Sequence, residues 1–240
     1  MTPGIFITAT NTGAGKTVCS AALLRVAGRD GIRAVGLKPV ASGGTRTGPG
    51  GALRNADALE LQAAATVALP YDEVNPYCFE PPIAPHLAAH EADQVVTPDG
   101  LEAWYRRVTV GTELAIVEGA GGWRVPLHPN GFLSDLPERL GLGVILVVGV
   151  TLGCLNHARL TVEAIASAGR CPLLGWIANE VDPACERRDA NVDTLTRLLD
   201  GPPLARVAHS SGLRSPFGNP LVELADDPHL TKVLRGAYGR

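Results

Sequence analysis

Five apolar runs of strand length punctuate the chain: GIFITA (4–9), IRAVGLK (32–38), LAIVEG (114–119), VILVVGV (144–150) and LLGWIAN (173–179). None shows the strict apolar–polar alternation of a strand with one wet face. Near-continuous hydrophobicity suits strands buried on both faces, and such strands belong to parallel sheets covered by helices. Helix-like stretches lie between several of the runs. KTVCSAALLRVAGRDG (16–31) and NHARLTVEAIASAG (156–169) each close on a glycine, the residue suited to a helix end. This alternation predicts an α/β fold: an open, mostly parallel sheet with helices on both faces.

A chain of 240 residues buries one sizeable core without needing a second, so residues 1–240 are expected to form a single domain. ASGGTRTGPGGALRNA (41–56) reads as a loop and YDEVNPYCFEPPIAPH (71–86) as irregular chain, because glycines and prolines crowd them. After residue 200 the sequence predicts only a last strand in LARVAH and a terminal helix. The formal net charge of −3 gives no attraction to a polyanion, so nucleic acid is not an expected partner. The most apolar window, 140–155, is too short and glycine-rich for a membrane span, and no secretory signal is visible. A cytoplasmic protein is expected, with its five scattered cysteines reduced.

Directly after the first run comes ATNTGAGKT (9–17), whose end fits the phosphate-loop pattern G-x-x-x-x-G-K-[ST] at Gly15, Lys16 and Thr17. Thr10 stands where that pattern has its first glycine. Strand, glycine-bearing loop and amphipathic helix nevertheless form the context that a phosphate loop needs. Backbone N–H groups at a helix N-terminus make an anion nest, the lysine adds a point charge and the hydroxyl a magnesium ligand. Of the 21 basic residues only Lys16, Lys38 and Lys232 are lysines, and the first two sit at strand ends, where ligands bind in such sheets. A compact ammonium enters a phosphate cluster that a planar guanidinium does not fit. Glu118, closing LAIVE, and Asp57, in LRNADALELQ, are the candidate carboxylates for a magnesium nucleotide, Asp57 reading equally well as a helix cap. His86 and His90 have helical i, i+4 spacing, but no third ligand accompanies them and zinc is not expected.

Seven segments in order, TATNTGAGKTVCSAALL, GLKPVASG, LRNADALELQ, VNPYCFEPPIAPH, IVEGAGGW, VILVVGVTLGCLNHA and GWIAN, make the chain resemble the dethiobiotin synthases, phosphate-loop ATPases of biotin synthesis. In that family the loop is one residue longer between its glycines, so the departure here is Ala9 rather than Thr10, and Gly13 stands where some members carry glutamate. The resemblance implies that 7,8-diaminopelargonic acid, CO2 and ATP give dethiobiotin, ADP and phosphate. An amine captures CO2 as a carbamate, the carbamate takes the γ-phosphoryl group, and the neighbouring amine closes the ring on the carbamic–phosphoric anhydride.

Carried over by position, the resemblance implies nucleotide contacts from Asn11, Thr12, Gly13, Ala14, Gly15, Lys16, Thr17, Val18, Asp57 and Glu118, with Asn179 reading the adenine edge. Thr17, Asp57 and Glu118 would hold Mg2+. Lys16 and Lys38 would gather charge on the transferring group, Thr12 and Ser42 would orient it, and Glu118 and Gly121 would also face the diamine. Gly153, Cys154 and Asn156 would bind the substrate's tail across a homodimer interface, Cys154 as a backbone donor. Past residue 180 the resemblance thins: Asn191 stands where some members have tyrosine, and PPLARVAHS replaces P-x-L-G-x-I-P. Two alternatives share the expected fold, the partition or septum-positioning ATPases and the cobalamin amidoligases. The former carry an extra lysine absent from TNTGA (10–14), and the latter need a glutaminase unit beyond this length.

Overall fold

A computed structural model describes residues 2–48, 50–128, 131–209 and 236. The chain begins with β1 (Gly4–Ala9), α1 (Lys16–Arg29) and β2 (Ala34–Leu37), then three two-residue strands, β3 (Val40–Ala41), β4 (Thr45–Arg46) and β5 (Leu53–Arg54). Next come α2 (Ala56–Ala64), α3 (Tyr71–Val74), β6 (Tyr77–Cys78), α4 (Pro85–Glu91) and α5 (Pro98–Val108). They are followed by β7 (Leu114–Glu118), β8 (Pro126–His128), β9 (Gly131–Phe132), α6 (Asp135–Leu140) and β10 (Gly143–Gly149). The remaining described elements are α7 (Cys154–Ala168), β11 (Leu173–Asn179), α8 (Arg188–Leu198) and β12 (Ala205–Val207).

Six strands form the central sheet in the order β12-β11-β10-β1-β7-β2. Every pairing within it is parallel. Alternate residues of one strand serve opposite layers, as the pleat requires. In β10, Ile145 and Val147 join the core beneath α1 and α2. Val144 joins the core on the opposite face, with α5 and α6, and Leu146 and Val148 join the part of that face covered by α7 and α8. Both faces are dry, which is why the five runs carry no polar alternation.

The runs give the six-stranded sheet its four middle strands and the edge strand β2 at nearly the predicted bounds, and LARVAH supplies the other edge, β12. The expected terminal helix lies outside the described residues. Two segments are more ordered than composition suggested. The glycine-rich loop contains a β4–β5 hairpin, with Thr45 opposite Arg54 and Arg46 opposite Leu53. The proline-rich segment holds α3, β6 and the start of α4, where Pro85 sits at a first-turn position that needs no N–H. Its other fixings are single side-chain bonds with no period for a sequence reading to detect.

α2 carries Asp57 in its first turn. Asn55 caps the helix, accepting from the Ala58 N–H at 3.3 Å. Leu61 of α2 presses on β2 so closely that a Cβ at Gly36 would lie 2.9 Å from the Leu61 carbonyl oxygen and 2.7 Å from Leu24 Cδ1. Leu61 is fully buried. Leu61→Ala is therefore expected to cost about 2–5 kcal/mol, read as a lower denaturant midpoint at unchanged slope.

Candidate functional site

The loops leaving the carboxyl ends of β1, β2 and β7 converge on a cleft of about 1080 Å³. This is where an open parallel sheet gathers ligands. The β1–α1 loop turns through two left-handed glycines, Gly13 (φ 79°) and Gly15 (φ 87°). A Cβ at Gly15 would fall 2.0 Å from Asn179 Nδ2. That amide donates to the Ala14 carbonyl at 2.8 Å. Asn179, at the end of β11, thus buttresses the loop from behind. Ala9 is fully buried in the core under α1, so its methyl is absorbed there, and Thr10 keeps the strand going by donating its N–H to the Val147 carbonyl at 3.1 Å.

Leu37 is paired with Val117, so the next residues, Lys38 and Glu118, leave adjacent parallel strands side by side. The Lys38 ammonium donates to Glu118 Oε1 at 2.6 Å, to the Gly119 carbonyl at 3.1 Å and to Asp57 Oδ2 at 3.2 Å. Burial works to lower the Lys38 pKa, but Glu118 and then Asp57 outweigh it, and the group is held above the ordinary lysine value. For Asp57, burial pushes upward and the Lys38 cation overrides it, leaving the carboxyl below its usual range. Thr17 donates its hydroxyl to Glu118 Oε1 at 3.0 Å. Glu118 is fully buried, and its second oxygen, Oε2, has no hydrogen-bond partner.

Lys16 reaches across the loop to the Gly121 carbonyl at 2.7 Å. Burial, followed by repulsion from Lys38, lowers its pKa to about 8. Two ammonium groups thus face one cleft with an unpartnered carboxylate oxygen and the buried, unpartnered Ser42 hydroxyl. Such a set is arranged for phosphate oxygens and a hard cation rather than for apolar cargo.

Of the residues singled out in the sequence, Thr12, Gly13, Gly15, Lys16, Thr17, Val18, Lys38, Ser42, Asp57, Glu118 and Gly121 all line this cleft. Asn11 and Ala14, within the loop, and Asn179, which supports it, are not on the lining. Asn11 is nonetheless fixed in the turn, its Oδ1 accepting the Thr12 N–H at 2.8 Å. Asp57 is not the helix cap, a place Asn55 takes. Gly153, Cys154 and Asn156, at the start of α7, are absent from the lining. The Cys154 N–H, expected as a backbone donor to the substrate's tail, closes a turn onto the Thr151 carbonyl at 3.1 Å within this chain. Burial raises the Cys154 thiol above the ordinary range, so it is no nucleophile.

His86 and His90 line a separate apolar cleft of about 470 Å³. Among the described residues no group of three or more His, Cys, Asp or Glu forms a metal cage. Arg124 and Asn55 line the main cleft and were not read from the sequence. In a chain rich in arginine, one more arginine after GAGGW carries no signal, and Asn55 looks like any helix cap.

A family model described as an AAA domain matches residues 3–216. The ATP-dependent dethiobiotin synthetase BioD of Pseudomonas paraeruginosa is 50% identical over 206 residues, covering 85% of this chain and 89% of that protein. The protein of the same name from Photobacterium profundum is 45% identical over 215 residues, covering 90% and 96%. Among solved structures, the septum site-determining protein MinD with Mg-ADP from Pyrococcus horikoshii aligns with a TM-score of 0.61 at 16% identity, covering 97% and 95% of the two chains. A ParA family ATPase from Chlorobium tepidum aligns with a TM-score of 0.56 at 12% identity over the full length of both. At such identities the structural likeness establishes the fold alone.

Gly15→Ala places a side chain at φ 87° and into the Asn179 amide. It is expected to weaken MgATP binding at least about tenfold, measured by calorimetry, with the circular dichroism spectrum unchanged.

Proposed function

We propose how this cleft performs the reaction of the family to which the chain belongs, the ATP-dependent dethiobiotin synthetases. The chain is a ligase that forms carbon–nitrogen bonds and makes dethiobiotin with ATP as co-substrate. The observation that carries the assignment of roles is the Lys38 ammonium, held between Glu118 and Asp57 beside the phosphate loop. It sets a buried positive charge where a carbamate and a γ-phosphoryl group would meet.

In the proposed sequence one amine of 7,8-diaminopelargonic acid adds to CO2 and loses a proton, giving a carbamate. A carbamate oxygen bonds to the γ-phosphorus as the bond to the ADP oxygen breaks. The second amine then bonds to the carbamate carbon, phosphate leaves with its bonding pair, and the five-membered ring closes. Lys16 and Lys38 offset the negative charge that develops on the transferring group, and being pre-oriented they need little reorganisation to do so. Thr12, Ser42 and the Gly121 region orient the diamine and its carbamate. The unpartnered Ser42 hydroxyl supports that role, since it has a bond to give. Holding both amines near one carbon makes ring closure effectively unimolecular.

The residues also fit Mg2+. Thr17, Asp57 and Glu118 would hold it: two carboxylates and a hydroxyl leave positions for water and phosphate oxygens, and the unpartnered Glu118 Oε2 is an oxygen still in need of a partner. When bound, the ion supplies charge neutralisation at the β- and γ-phosphate oxygens. Asn179 keeps its Oδ1 for an adenine amino group while its amide supports Ala14.

We take residues 1–240 as one ligase domain working as a homodimer in the cytoplasm. Leu152, 99% exposed just before α7, and the absence of Gly153 and Asn156 from their own cleft lining support a tail site offered to a second copy. The five free cysteines agree with a reducing compartment.

Purified protein with MgATP and bicarbonate is expected to release ADP only when the diamine is present. The product should be heavier than the diamine by about 26 mass units, CO2 added and water lost. Diamine-independent hydrolysis with no such product would refute the reading. Lys38→Met is expected to lower kcat by about 10²-fold or more, and Glu118→Gln to raise the Mg2+ concentration for half-maximal turnover by about tenfold, both read by titration against chelated buffer.

A further inference from the structure

We propose that Tyr71 and Asn75, which do not line the cleft, are positioning residues that set Lys38 and Asp57 against each other; the inference rests on the ligase reading above. Asn75 is 2% exposed. Its amide donates to the Lys38 carbonyl at 2.7 Å and to the Tyr77 carbonyl at 3.1 Å. Its Oδ1 accepts the Tyr71 hydroxyl at 2.9 Å. The Tyr71 oxygen in turn accepts the Asn55 N–H at 2.7 Å. Asn55 is the cap of α2, two residues before Asp57. Its own amide donates to the Ser42 carbonyl at 3.4 Å.

Lys38 is therefore gripped at both backbone groups by one short segment, since its N–H also donates to the Val74 carbonyl at 2.8 Å. β2 and α2 reach the cleft from different layers, yet the Lys38 ammonium and the Asp57 carboxylate must meet at 3.2 Å. One hydroxyl joins their supports. The Arg54 guanidinium lies 4.1 Å above the Tyr71 ring and covers it. Burial raises the phenol above its ordinary range, so it stays neutral, donating to Asn75 while accepting from Asn55. A segment that merely filled space would not place side-chain bonds on the backbone both of Lys38 and of Asn55, the cap of the helix that carries Asp57.

The test compares Tyr71→Phe with Trp104→Phe. Trp104 makes a bond of the same kind to the same segment, donating Nε1 to the Glu73 carbonyl at 2.8 Å, but has no link to Lys38 or Asn55. Both variants and the wild type are assayed at a temperature well below their measured melting midpoints, at saturating diamine and MgATP. Tyr71→Phe is expected to lower kcat about tenfold or more and to raise the Mg2+ requirement, with the diamine KM within about threefold of wild type. Trp104→Phe is expected to lower the melting midpoint without moving kcat. Asn75→Ala, which frees the Lys38 carbonyl but leaves the Tyr71–Asn55 bond, is expected to show the same loss of kcat and replaces Tyr71→Phe if that variant does not fold.

A kcat within about twofold of wild type in Tyr71→Phe would overturn the inference, as would an equal loss in Trp104→Phe or failure of both network variants to fold. Absence of diamine-dependent turnover in the wild type would instead overturn the ligase reading itself.

Discussion

A lysine and a glutamate buried together, at 3% and 0% exposure, are the constraint around which this molecule is organised. Such a pair is costly to desolvate and holds only if every donor is used. Here all three ammonium hydrogens have acceptors: Glu118, Asp57 and the Gly119 carbonyl. Meeting that demand fixes three elements at once. β2 must pair with β7 in the register that sets Leu37 opposite Val117, and α2 must bring Asp57 down from the layer above. A slip of one residue in β2 would send Lys38 to the other face and leave a buried carboxylate uncompensated.

The second lysine explains why the arrangement is poised rather than settled. Lys16 lies in the same cleft, and burial together with Lys38 brings it to about 8, so the free cleft holds a cation it accommodates poorly. A polyanion relieves that repulsion by placing negative charge between the two ammonium groups. The phosphate loop contributes its backbone from the other side, held open by two left-handed glycines and by the Asn179 amide behind Ala14. The charges are pre-set in a folded frame, so the electrostatic reorganisation is made on folding and not during turnover.

This also separates what was legible in the sequence from what was not. β11 runs from Leu173 to Asn179, as its apolar run indicated, because a strand buried on both faces writes its burial into consecutive residues. Lys38 and Glu118 were legible as charges at the ends of such runs, and the segment resemblance placed Ser42 and Asp57 with them. Tyr71 and Asn75 were not, for their bonds reach the backbone of Asn55, 16 residues from Tyr71, and of Lys38, 37 residues from Asn75, and leave no local pattern. Arg124 was hidden among other arginines, though it lines the cleft and its guanidinium bonds Ser134 and Glu138 at 3.1 and 3.2 Å. The turn that engages the Cys154 N–H with the Thr151 carbonyl was not legible either, since helix ends often fold back in ways that composition does not announce.

A phosphate loop by itself makes a nucleotide-binding protein, and the fold is shared at 16% identity with a protein named for septum placement. What a ligase needs beyond that is room for a second substrate within reach of the γ-phosphate. The cleft has apolar lining as well as charge: Ala41, Ile83, Pro85, Ala120, Val125 and Pro126 share it with the lysines. The apolar residues come from β3, from the proline-bearing segment around α4, and from GAGGW and the residues after it, while the charges come from α1, the end of β2, α2 and β7. Chemistry specific to this family is thus built from the segments that composition describes least well, laid over a sheet that many unrelated activities use.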